Sequence, residues 1–308
     1  MRRLRTVLLG LLLVLAAGAV AAWALTMPRT LGESELAALQ PGDAGKGERI
    51  FHAGGCASCH AAPGAEGDAR LQLGGGVRLS TAFGTFVAPN ISSHPDDGIG
   101  RWTVQDLANA MLRGVSPERE HYYPAFPYTS YARMNPQDVA DLHAYLGTLP
   151  AVAGRAPANE VAFPFNMRRA LGLWKLLYLD TAPVIALPEG ADPKLALGRY
   201  LVEGPGHCGE CHTPRNPIGG PENGQWLAGA AAAEGQGNVP NITGGEGGLG
   251  DWSEADFVEL LSTGFTPEFD SVGGTMADVV KNTAALSDED RAAMAAYLKA
   301  VPAHGNGY

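Results

Sequence analysis

All four cysteines of the chain fall in two short runs of one pattern. The first is Gly54-Gly55-Cys56-Ala57-Ser58-Cys59-His60 and the second is Gly206-His207-Cys208-Gly209-Glu210-Cys211-His212. Two thiols three positions apart, with a histidine directly after the second, are what covalent attachment of a porphyrin requires. The thiols add across the two vinyl groups, and the histidine then meets the iron from the proximal side. The two-residue gap lets one turn of backbone offer both sulfurs to one ring edge. Two disulfides, or a four-cysteine zinc site, are the competing uses of these side chains. Neither accounts for a histidine after both second cysteines. The runs therefore predict two c-type haems, joined to Cys56, Cys59, Cys208 and Cys211, with His60 and His212 as proximal iron ligands.

The second axial position decides the chemistry. Methionine there raises the potential and favours electron transfer, whereas an open position permits catalysis. Met276 follows Ser271-Val272-Gly273-Gly274-Thr275 and is expected on an exposed glycine-rich loop before the last helix. A methionine on such a loop is poorly explained by packing, so Met276 is the expected ligand of the second iron. In the first unit the candidate is Met134, one residue before the cap of that unit's last helix. His121 is its rival, and an open site is the third reading. The place matching Met276 falls near Pro124-Ala125-Phe126, which holds no ligand. Met111 and Met294 lie in helical patterns and read as packing. His52, His94, His143 and His304 read as surface or polar packing residues, and His207 receives no role.

Around each motif the chain repeats itself. Gly47 to Phe51 and Gly198 to Val202 lead as short helices into the first cysteines. Pro89-Asn90-Ile91 is answered by Pro240-Asn241-Ile242, and Gly100-Arg101-Trp102 by Gly250-Asp251-Trp252. A helix from Thr103 carries Val104, Leu107, Ala108 and Met111 on one face. Thr103 with Asp106 forms a capping box, and Gly114 with Pro117 ends the helix. Ser253 caps the matching helix, which turns Phe257, Leu260 and Leu261 inward. The last helices start at Asn135, with Pro136 in first position, and at Ser287. Asn90-Ile91-Ser92 and Asn241-Ile242-Thr243 match the glycosylation sequon. Their matching places in both repeats argue for a loop that hydrogen-bonds near the haem. Trp102 and Trp252 pack either beside the haem or in the core. The expected organisation is all-α: one unit over 45–150, a proline-rich linker over 151–191 and a second unit over 192–303, with long loops.

Residues 1–26 open with three arginines, followed by an apolar run from Val7 to Leu25. The run is about long enough to cross a bilayer, and Trp23 stands where an interfacial aromatic would. An uncleaved anchor is favoured over a signal peptide, although Ala22 and Ala24 permit cleavage. The leading arginines place the N-terminus in the cytoplasm and the remainder outside it. Thr30 to Gly45 reads as a polar spacer. Net charge is −10, which argues against nucleic acid as a partner. Within the linker, Phe163 to Tyr178 reads either as a packed connector or as a docking surface for a partner or the membrane.

These repeats resemble the c-type cytochrome subunits of bacterial membrane-bound quinoprotein alcohol dehydrogenases and flavoprotein gluconate dehydrogenases. The resemblance rests on Pro89-Asn90-Ile91, Gly98-Ile99-Gly100 with Trp102, Tyr123-Pro124-Ala125-Phe126-Pro127-Tyr128, Gly204 to Cys208, Pro240-Asn241-Ile242 and Met276 to Thr283. It implies two tandem class I cytochrome c folds, with Gly47 and Phe51 packing under Tyr145 and Gly198 and Val202 under Tyr297. It also implies a periplasmic dehydrogenase as donor at the inner membrane. Members of that family usually carry three haems and pass electrons to ubiquinone. This chain has only two motifs, which leaves an oxidase, a quinone or another cytochrome as acceptor. The competing reading is a dihaem enzyme such as a peroxidase with an open first iron, which needs a nearby acid–base group. A redox sensor or haem-delivery protein is the third.

Overall fold

The computed structural model describes residues 2–233 and 237–308. Helix α1 (Arg2–Leu25) is followed by α2 (Glu33–Ala37), α3 (Ala44–Ala53) and the short α4 (Cys56–His60). Strands β1 (Arg78–Thr81) and β2 (Gly84–Val87) pair antiparallel, and α5 (Val104–Arg113), α6 (Tyr128–Tyr131) and α7 (Pro136–Leu146) complete the first repeat. The linker holds α8 (Leu171–Tyr178). The second repeat runs through α9 (Pro193–Glu203), α10 (Gly209–His212), β3 (Ala230–Ala231), β4 (Asn238–Val239), α11 (Glu254–Thr263), α12 (Gly274–Thr283) and α13 (Asp288–Ala300). The regular structure is thus mainly, but not purely, helical. Two short antiparallel pairs occupy stretches expected to be loop, and they let glycine-rich backbone satisfy its own polar groups.

The expected caps are in place. Thr103 Oγ1 accepts from Asp106 N at 3.2 Å while Asp106 Oδ2 accepts from Thr103 N at 2.9 Å. Ser253 and Asp256 repeat the exchange at 3.3 and 2.7 Å. Both helices stop at a glycine in the left-handed region, Gly114 and Gly264, where a side chain would be strained.

Each repeat is built on a crossing of its first and last helices, and the crossing glycine lies against bare backbone. A Cβ on Gly47 would stand 2.0 Å from Asp141 O and 2.8 Å from Tyr145 Cβ; one on Gly198 would stand 1.9 Å from Ala293 O and 2.9 Å from Tyr297 Cβ. Phe51 packs on Tyr145 with ring centroids 5.2 Å apart, and Val202 and Tyr297 are fully buried. Two hydrophobic cores follow, one around Phe51, Leu112, Val139 and Leu142, the other around Leu201, Phe257, Met294 and Tyr297.

The repeats meet through matching residues. Arg49 of α3 binds the buried Asp290 of α13, with Nη2 to Oδ1 at 2.6 Å. Tyr200 of α9, at the place matching Arg49, donates to Asp138 of α7, which matches Asp290. Exchange of one contact between equivalent positions is the pattern of an isologous two-fold interface.

The polar spacer is strapped down rather than free. Leu31 is buried and its N–H donates to Asn109 Oδ1 at 2.8 Å, while Gln40 N donates to Gln137 Oε1 at 2.8 Å. α1 is long and apolar enough to cross a membrane, a test that a signal sequence also passes.

Candidate functional site

Both cysteine motifs sit on one turn of helix entered by a left-handed residue. Gly55 takes that conformation before Cys56 at no steric cost, and His207 takes it before Cys208 at φ 41°. For a histidine this is an uncommon region. His207 is held there by Nε2 against Gly54 O at 3.2 Å and by an edge contact to the Tyr131 ring. Burial pushes the Cys56 and Cys208 thiols up to about 12 and also raises Cys59.

The histidines are aimed by the proline carbonyls of the repeated Pro-Asn-Ile segments. His60 Nδ1 donates to Pro89 O at 2.8 Å, and His212 Nδ1 donates to Pro240 O at the same 2.8 Å. This fixes the tautomer and leaves Nε2 as the bare acceptor, which is how a metal-binding imidazole is oriented from behind. Burial lowers both histidine pKa values, so the neutral, ligating form persists. The asparagines lock the proline loops. Asn90 Oδ1 accepts from Ser92 N at 2.9 Å and its Nδ2 donates to Val152 O and Gly154 O. Asn241 accepts from Thr243 N at 2.9 Å and donates to His304 O at 2.8 Å. The sequon asparagines are therefore structural and buried. No cluster of three or more metal-binding side chains of the zinc kind occurs among the described residues. A thiol pair on a helical turn, followed by a neutral histidine with a carbonyl behind it, is a donor set that fits a c-type haem.

Met276 departs from the expected loop position. It lies in the first turn of α12, half-buried against the second core. The glycines before it start that helix instead of forming an open loop, with Gly274 at φ 56°. Met134 is buried at 4% exposure in the first core with Phe51 and Tyr131. Tyr122 N bonds Gly114 O as Val272 N bonds Gly264 O, which aligns Phe126 with Met276. Phe126 is a ring packed between Tyr122 and Tyr131. His121, the rival ligand, is engaged elsewhere. Its Nε2 donates to Thr26 O at 3.0 Å beside the end of α1, and Nδ1 is buried without a partner. Met111 and Met294 are core residues, and Trp252 packs on Phe257.

Sequence reasoning missed how the two motifs face each other. Ser58, inside the first motif, accepts from Asn282 Nδ2 at 2.7 Å on α12. Glu210, the matching residue of the second motif, accepts from Thr129 and Ser130 on α6, each at 2.7 Å, and pairs with Arg215. Burial opposes the Glu210 charge, but Arg215 and the two hydroxyls outweigh it and hold its pKa below the ordinary carboxylate value. Each cysteine-bearing turn is therefore docked on the other repeat. Nothing local in the sequence points to partners 80 or 224 positions away.

Paired thiols on a helical turn, a carbonyl-backed histidine and crossing terminal helices define a c-type cytochrome. Residues 44–150 match the cytochrome c family model, whose domain carries covalently bound haem. The chain belongs to the dihaem c-type cytochromes: it is 58% identical over 299 residues to a dihaem cytochrome c-type protein of Cereibacter sphaeroides, covering 97% of this chain and 99% of that protein. It is also 35% identical to the cytochrome c subunit of the quinone-linked alcohol dehydrogenase of Gluconobacter oxydans, over 85% of this chain and 55% of that subunit. The cytochrome c subunit of gluconate 2-dehydrogenase from Pantoea cypripedii is 36% identical over 89% of this chain and 63% of the subunit. The chain spans a little over half the length of those dehydrogenase subunits.

Proposed function

We propose that the chain is a dihaem electron carrier of the bacterial inner membrane, facing the periplasm. It takes electrons from a dehydrogenase and hands them toward the respiratory chain. Residues 45–150 and 192–303 each hold one haem. Cys56, Cys59, Cys208 and Cys211 form the thioethers, His60 and His212 are the proximal ligands, and Met134 and Met276 are the distal ones. The observation that carries this reading is the identical 2.8 Å bond from each histidine Nδ1 to a proline carbonyl. When bound, the haems supply one-electron exchange between ferric and ferrous iron. The chain's own part is to hold both histidines neutral and aimed, and to fix the two attachment turns against each other through Ser58 and Glu210. The acceptor is an oxidase, a quinone or another cytochrome.

An uncleaved anchor is supported by the grip on the end of α1. Arg169 donates to Trp23 O at 2.7 Å and to Thr26 Oγ1 at 2.9 Å, and His121 donates to Thr26 O. A peroxidase would need an acid–base group over an open first iron, and His121 is spent on Thr26. The test is the absorption and electron paramagnetic resonance spectrum of the oxidised protein, quantified per haem. Two low-spin irons with the far-red sulfur-to-iron band at full strength, halved in either Met134→Ala or Met276→Ala, are expected. A high-spin or bis-histidine iron sinks the Met134 assignment and makes peroxide turnover the next assay.

A further inference from the structure

The linker helix α8 is amphipathic in an unusual sense: its packed side is mixed and its open side is apolar. Gly172, Trp174 and Lys175 are buried, whereas Leu173, Leu176 and Leu177, at i, i+3 and i+4, are exposed by 49, 50 and 69%. Phe163 and Phe165 just before it are also exposed, as is Ile218, whose carbonyl accepts from Trp174 Nε1 at 3.0 Å. A helix facing water would carry polar residues on that side, and a contiguous apolar patch of this kind marks a contact surface.

Two observations say what covers it. The first is continuity with the anchor. A Cβ on Gly172 would stand 2.6 Å from Thr26 Cα, and the Arg169 guanidinium lies 4.0 Å from the centre of the Trp23 ring. Tryptophan at the end of an apolar span sits at headgroup depth, so α8 starts at that depth. The second is charge. Residues 161–179 contain no acidic side chain, in a chain with 32 of them, and Arg169 stands just before α8 over the Trp23 ring, while Arg168 pairs with Glu120 and Lys175 is turned to the packed side. That suits an anionic phosphate surface.

We propose that the outer face of α8, with Phe163 and Phe165, lies in the headgroup–acyl boundary of the bilayer that α1 spans, as an interfacial helix. This rests on the anchor reading above. It fixes the orientation of the first repeat. Lys175 Nζ on the packed side donates to Arg113 O at 2.8 Å and Gly114 O at 2.6 Å, and Trp174 meets Tyr128 edge-on, so α8 holds that repeat against the membrane.

The test is photo-crosslinking of the full chain in native membranes. A benzoylphenylalanine is placed at position 177, at position 15 within α1, or at position 269, where Phe269 is 93% exposed on a hairpin of the second repeat. Adducts are then identified by mass spectrometry. Phospholipid adducts at 177 and 15, and their loss at 269, are expected. Lipid at 15 with a protein adduct or none at 177 overturns the proposal while the anchor stands. Removal of α1, seen by N-terminal sequencing, overturns the anchor reading; lipid adducts at 177 in that protein sustain the surface, and their absence overturns it as well.

Discussion

Replacing Gly198 with alanine tests the helix crossing on which the second repeat is built. The added Cβ would stand 1.9 Å from Ala293 O, a backbone atom that no rotamer change can move. An ordinary carbon–oxygen contact is about 3.3 Å, so α9 and α13 must part by about 1.4 Å. A gap of about 1 Å already forfeits up to half of each dispersion contact along the seam, here among the buried Leu201, Val202, Met294 and Tyr297. Alanine in a helix returns about 1 kcal/mol of backbone propensity. The net expectation is a loss of about 2–4 kcal/mol, a fall in melting temperature of about 3–6 °C for a chain of this size. The assay is thermal unfolding of the haem-loaded protein, followed by circular dichroism and haem absorbance. Gly47→Ala should behave alike, because Asp141 O is equally close. Gly305→Ala, with nothing within 4 Å, is the control. If Gly198→Ala melts with the control, the crossing is not as tight as described and the reasoning fails.

Three other perturbations probe the site. A Cβ on Gly209, inside the second motif, would lie 2.0 Å from the buried Trp226 ring; Gly209→Ala should cost about 2 kcal/mol, and Trp226→Leu should recover part of it. Lack of coupling in that double-mutant cycle counts against the packing. Burial opposes the charge on Asp290, but Arg49 overrides it and lowers the pKa. The pair therefore stabilises above the unfolded carboxylate value near about 4, and this is lost as pH falls through the folded value. Arg49→Leu should cost about 1 kcal/mol at pH 7, since Arg49 is partly open to screening, and should raise the acid-unfolding midpoint; an unmoved midpoint contradicts the pairing. Asn241→Ala leaves buried groups unpaired at a cost of about 2 kcal/mol and frees the loop that aims His212, so one haem potential should shift in a redox titration while the other holds.

What could be read from sequence was local or periodic. The motifs, the caps at Thr103 and Ser253 and the helix stop at Gly114 carry their reason within a few residues or within the repeat itself, whereas the crossing glycines are expected only through the family resemblance, because their partners lie on a distant helix. Met276 was misplaced because glycine reads equally as a loop and as the left-handed entry to a helix. The β1–β2 pair was missed because Leu79 and Phe86 have weak alternation around them. The seam was invisible because its partners are far apart: Arg49 and Asp290 are separated by 241 positions. Glu210 looks like a solvated charge until α6 is laid over it. Leu173, Leu176 and Leu177 look like core until the opposite side of α8 is found to be packed.

The exchanged contacts of Arg49 with Asp290 and Tyr200 with Asp138 have an evolutionary corollary. A symmetric pair of separate chains must repeat every substitution on both sides, so its two centres stay degenerate. Joining the halves in one polypeptide keeps the interface at any dilution and lets each half change alone. Serine at 58 against glutamate at 210, and phenylalanine at 126 against methionine at 276, are such unilateral changes. A downhill step between two otherwise alike centres is available to a fused pair and denied to a symmetric one.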